Sequence, residues 1–150
     1  MKRLSGQGLG AAALWAPTLL AASPAAAGEV VVTVTDIRSS KGVVRACLSA
    51  DQDSFPRCKK DPEALRVRVP AGETVTIRFS GVKPGSYGIA VLHDENDDGK
   101  ANRVLGMMPK EGYGFSRDAP VRMAPPKFED AVFEHKGEDQ QLTIAMRYFL

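Results

Sequence analysis

Seven short stretches of the chain alternate apolar and polar positions with a period of two. The segment 29–36, EVVVTVTD, sets Val30, Val32 and Val34 against Val31, Thr33 and Thr35. The segments GVVRACLS (42–49), LRVRVP (65–70), ETVTIRFS (73–80), SYGIAVLHD (86–94), KFEDAVFE (127–134) and QLTIAMRYF (141–149) repeat the pattern. A period of two with polar outer positions marks a strand buried on one face. Lys41-Gly42, Pro70-Ala71-Gly72, Pro84-Gly85 and Lys136-Gly137 punctuate the segments with turn residues. The pattern predicts an all-β fold, a seven-stranded antiparallel sandwich of immunoglobulin-like or transthyretin-like type. Its core is expected from Val32, Val34, Val44, Leu48, Val75, Ile77, Ile89, Val91, Phe133 and Ile144. In 30–35 both faces are apolar, so the period alone does not tell inside from outside there.

No segment has a sustained helical period; a turn of helix is expected at most near 62–65 or in the long connection from 94 to 126. That connection lacks a strand pattern. A loop of this length in a compact domain is functional or disordered, and Val104, Leu105, Met107, Met108, Tyr113 and Phe115 require burial. It is expected to lie ordered across one end of the sandwich. Tyr87 follows Pro84-Gly85, where a buried ring with its hydroxyl on nearby backbone pins a corner.

The connection opens with HDENDDGKAN. Asp94, Asn96 and Asp98 put oxygens at alternate positions, Gly99 permits a reversal, and the Lys100 carbonyl and Asn102 come next. Calcium takes six to eight hard oxygen ligands, and this spacing matches positions 1, 3, 5, 6, 7 and 9 of a calcium loop. The position that carries a bidentate Glu in a helix–loop–helix site is Leu105, and no helix flanks the loop, so a further oxygen must come from elsewhere; Glu111 is the candidate. Calcium is the expected cofactor, bound weakly. The other reading is an acidic hairpin turn, since Asp-Gly is a common turn pair.

Composition places the protein rather than naming its chemistry. Lys2 and Arg3, an apolar run from Leu9 to Leu20 and Ala25-Ala26-Ala27 read as a secretory signal over 1–27, with a single domain over 28–150 and a periplasmic or secreted location. The run is too short and too rich in Ala and Gly for a membrane span. Removing 1–27 takes two bases and no acid, which brings the formal charge of +2 to zero. No basic stripe points to nucleic acid. Cys47 and Cys58 are the only cysteines. An exported pair is expected to form a disulfide; two free thiols or half of a metal site are the alternatives.

The stretch from His93 to Ala119, followed by PPKFEDAVFE, resembles the bacterial exported family catalogued as domain-of-unknown-function family 2141. The likeness rests on the His-Asp-x-Asn-x-x-Gly run, the Pro-x-Glu-Gly-x-Gly-Phe-Ser segment and the Phe-x-x-Ala-x-Phe strand, and it spans essentially the whole chain after the signal. It implies a secreted or periplasmic β-sandwich without established activity. Asp is frequent in such proteins where this chain has Asn102, which implies lower ion affinity here.

Other chemistry is thinner. His93 and His135, the only histidines, could join a carboxylate around zinc. Ser116 lacks the Gly-x-Ser-x-Gly elbow of a hydrolase. Tyr113 and Phe115 could present an aromatic ligand surface, or plug the core. Met107 and Met108 could be soft copper ligands with His93, or apolar filler. The reading is an exported binding or structural module stabilised by calcium. The alternative is a metal-dependent enzyme using His93 and adjacent carboxylates.

Overall fold

The computed structural model describes residues 26–104, 108–122 and 124–150, together with 3, 6, 8, 10–12, 14–18 and 20–23. The described part of 1–27 is almost all exposed and carries no element before strand β1, Gly28–Thr35. Lys2, Leu9 and Ala25, which belong to the expected signal, lie outside the described residues. No described helix is long and apolar enough to cross a membrane.

Five longer strands form first: β1, β2 (Val43–Ser49), β3 (Leu65–Pro70), β4 (Val75–Val82) and β5 (Gly85–Asp94). Two short ones, β6 (Arg103–Val104) and β7 (Met108–Pro109), pair with each other. β8 (Gly112–Phe115), β9 (Phe133–His135) and β10 (Gln140–Ala145) complete the set. One sheet has the order β10-β1-β4, and the second runs β3-β2-β5-β8, with β9 pairing the start of β5. Val30, Val32 and Val34 from β1, Ile77 and Phe79 from β4, Val44 and Leu48 from β2, Ile89 and Val91 from β5, and Ile144 from β10 share one buried cluster. Each lies on the inward parity of its strand, so alternation delivers all of them to the same side. Val75 is only half-buried, at the open start of β4.

The architecture departs from the expected one in four ways. The described residues form ten strands, not seven, because the 94–126 connection contributes β6, β7 and β8. The pairing is not all antiparallel: β1 and β10 run parallel. Period two is blind to direction, and β10 enters from the end at which β1 also begins, where Asp139 accepts the Glu29 N–H at 2.9 Å. Residues Phe128–Ala131 form a helical turn, α1, rather than strand, with the Asp130 carboxylate accepting the Lys127 N–H. Finally, Val104 and Met108 are exposed rather than buried; Leu105 and Met107 lie outside the described residues.

Two devices fasten connections to the sheets. Cys47 and Cys58 bring their sulfurs to 2.08 Å, a disulfide distance, and fasten the turn-rich excursion between β2 and β3 onto β2. Tyr87 donates its hydroxyl to the Lys83 carbonyl at 2.8 Å, the corner contact expected of it.

Candidate functional site

β5 ends at Asp94, whose carboxylate is fully buried and organises the loop after the strand. Oδ1 accepts the Asp98 N–H at 3.1 Å, and Oδ2 accepts the Gly99 N–H at 2.9 Å and Nε of Arg45 at 2.7 Å. One side chain thus folds the next residues back over itself, as Asp does when it caps a turn. Gly99 at φ 74° and Asp97 at φ 53° take the left-handed conformations that the reversal needs.

The sheet beneath supplies countercharge. Arg45 and Arg68 are directly paired across β2 and β3 and reach the loop together. Arg45 binds Asp97 at 2.7 Å and Arg68 clamps both Asp97 oxygens. The hydrogen bond from Arg68, aided by the charges of both guanidiniums, holds the Asp97 carboxyl below the usual range. Asp98 is also held low, chiefly by the Asn102 amide and the Lys100 N–H.

Glu111 reaches the same place from a separate segment, immediately before β8, and is 3% exposed. Its carboxylate accepts the Asn102 N–H at 3.2 Å and the Asn102 amide at 3.4 Å. One oxygen from each of Asp94, Asp98 and Glu111 lies within 4.8 Å of the others. The Asn102 amide nitrogen sits where these oxygens converge, 3.0 Å from Asp98 Oδ2 and 3.3 Å from Asn96 Oδ1. The carboxylates of Asp94, Asp97, Asp98 and Glu111 outnumber the nearby cations of Arg45, Arg68 and Lys100.

A family model for an uncharacterized protein conserved in bacteria, DUF2141, matches residues 32–143, from β1 through β10. The chain belongs to the DUF2141 family. No curated protein matches it significantly, nor does any solved structure.

In this DUF2141 chain the four side chains named from spacing, Asp94, Asn96, Asp98 and Asn102, meet Glu111, the candidate for a further oxygen, in one hydrogen-bonded group. Lys100 contributes its N–H to Asp98. The other candidates are held elsewhere. His93 is fully buried, with Nδ1 2.8 Å from the Tyr148 hydroxyl and Nε2 2.8 Å from the Lys41 carbonyl, so both ring nitrogens have partners. His135 lies at the opposite end of β5, paired with Gly85. Eight residues of strand put the two imidazoles roughly 25 Å apart, so they do not share a zinc site. Ser116 is buried, donates to the Ala131 carbonyl and accepts the Ile89 N–H, a packing role with no histidine beside it. Phe115 is buried edge-to-face against Phe55, and Tyr113 is half-buried, so the pair forms no open aromatic surface. Sequence reading missed Arg45 and Arg68. Their signal is two arginines on the outward face of adjacent strands, which without the pairing register reads as ordinary surface charge.

Burial pushes the Glu111 carboxyl up, the anions of Asp94 and Asp98 push further, and the Asn102 donors oppose them. A carboxyl whose folded pKa is raised contributes stability in full below its unfolded value of about 4.5. That contribution is lost as pH rises through the higher folded value. Glu111→Gln is therefore expected to gain stability relative to the parent as pH climbs from 4.5 toward neutrality in the absence of divalent ions. Denaturant melts of the two proteins across pH 4–8 check this; a pH-independent difference refutes it.

Proposed function

We propose that this DUF2141 protein is an exported β-sandwich, immunoglobulin-like or transthyretin-like, that acts as a binding or structural module, with calcium ordering its 94–111 region. The observation that carries the calcium reading is the convergence of Asp94, Asp98 and Glu111 from two separate segments on one point. Half a turn of the Asn102 amide would present its Oδ1 to that point in place of the NH2 group, and Asn96 Oδ1 is adjacent. Oxygen-only donors of mixed charge favour calcium over zinc or copper. The signal over 1–27 supports a periplasmic or secreted setting, where calcium reaches millimolar levels.

The buried, doubly partnered His93 counts against the metal-dependent enzyme.

Three carboxylates delivered by two segments imply a Kd of roughly 10⁻⁴–10⁻³ M. At about 1 mM calcium, mass action then adds about 1 kcal/mol of apparent stability. The expected result is an unfolding midpoint raised by a few degrees with calcium, less with magnesium, and unchanged for Asp98→Ala. A parent midpoint indifferent to calcium, or an equal shift in Asp98→Ala, leaves an acidic turn and no ion site.

A further inference from the structure

We propose that Arg38, braced by residues 146–150, is the positioning residue that holds Glu111 against the 94–102 loop. Arg38 lies between β1 and β2, and its side chain touches three segments at Glu95, Lys110 and residues 148–150. Nε pairs with Glu95 at 2.6 Å, the residue after Asp94. One terminal nitrogen donates to the Lys110 carbonyl at 3.0 Å, the residue before Glu111. The other donates to the Leu150 carbonyl. The guanidinium therefore bridges the neighbours of two carboxylates that converge and belong to different segments. A rigid planar fork suits such bridging, whereas an ammonium acts as a point charge.

Residues 146–150 complete the clamp. The Arg38 guanidinium lies over the Tyr148 ring, 4.6 Å from its centroid. The Tyr148 hydroxyl accepts the Arg38 backbone N–H at 3.2 Å and bonds His93 at 2.8 Å. Arg147 exchanges two backbone hydrogen bonds with Tyr113 in β8, at 3.0 and 2.8 Å. The Tyr148 ring lies so close over Gly112 that a Cβ there would come within 2.3 Å of it. The 110–113 segment that carries Glu111 is thus pressed between Arg38, Tyr148 and the end of β5. Without Arg38, Glu95 and Lys110 lose their common partner, and the strap over Gly112 loses the cation stacked on its ring.

The functional consequence rests on the calcium reading, and two measurements separate the two ideas. The first is calcium affinity in Arg38→Gln and Arg38→Lys. Charge alone predicts tighter binding in Arg38→Gln, since a cation near an anionic site is removed. Positioning predicts the opposite sign: Kd weakened about tenfold in Arg38→Gln and only partly restored in Arg38→Lys. Arg78→Gln, which breaks a remote ion pair with Glu29, controls for general loss of stability and should leave Kd unchanged. The second is amide hydrogen exchange in calcium-free protein. The Asn102 N–H, donated to Glu111, and the Tyr113 N–H, donated to Arg147, should exchange at least tenfold faster in Arg38→Gln and at parental rates in Arg78→Gln. Unchanged exchange at both amides overturns the positioning role, and so does calcium binding as tight as the parent's or tighter. If the parent itself binds no calcium, the calcium reading fails, and the exchange rates alone decide whether Arg38 positions Glu111.

Discussion

Gly42→Ala is expected to destabilise the protein by on the order of 4 kcal/mol, combining backbone strain with overpacking. Gly42 sits at φ 66°, a region that L side chains rarely adopt. A Cβ there would lie 2.1 Å from the Asp94 carbonyl and 2.6 Å from the Glu95 backbone. These are main-chain atoms at the point where β5 becomes the acidic loop, so no rotamer change relieves the contact. β2 and β5 would have to part where Val43 pairs with Asp94. Gly99→Ala is the matched comparison. Its φ of 74° carries the same strain, but its Cβ would meet only the Arg45 guanidinium, at 3.9 Å. That substitution should cost about 1 kcal/mol. Denaturant unfolding of both variants measures the difference, and equal losses would show that the close approach at Gly42 is relieved by a small shift. On the calcium reading proposed above, Gly42→Ala should also lose any calcium-dependent rise of its midpoint, because the Asp94 end of the cluster moves with the backbone.

Joint replacement of Cys47 and Cys58 by alanine is expected to cost about 3 kcal/mol, the loop-closure entropy that a short ring removes from the unfolded chain. The bond fastens a turn-rich excursion whose own burial is slight: Cys47, Cys58 and Ala64 form a small cluster apart from the main core. Cys58 is fully buried and Cys47 nearly so. Peptide mapping of protein purified without reductant should recover the two cysteines linked, and the double variant should unfold at clearly lower denaturant. Two free thiols, or an unchanged midpoint, would contradict the bond and its role respectively.

What the sequence determined by itself was whatever depends on near neighbours along the chain. Period two identified β1 to β5 and, outside β1, most of the inward residues, because a pleated strand sends successive side chains to opposite faces wherever it lies; it did not separate the two apolar faces of β1 and it placed the half-buried Val75 in the core. The Asp94–Asn102 spacing identified a loop of converging oxygens, because Asp94 caps the N–H groups of Asp98 and Gly99 only a few residues on. Glu111 was legible as the missing oxygen only because the spacing left a position empty. The tertiary structure decided the rest. The parallel direction of β10, the strand β8 within a connection that lacked a strand pattern, and the helical turn at Phe128–Ala131 depend on which edge each segment meets. Likewise the partners of Asp97 come from β2 and β3, and His93 is taken by Tyr148 and Lys41, distant in sequence. Arg38 joins Glu95, Lys110 and Leu150, whose proximity depends on the pairing register and on the path of the last residues. Local steric rules set the first group; long-range contacts, which no periodicity encodes, set the second.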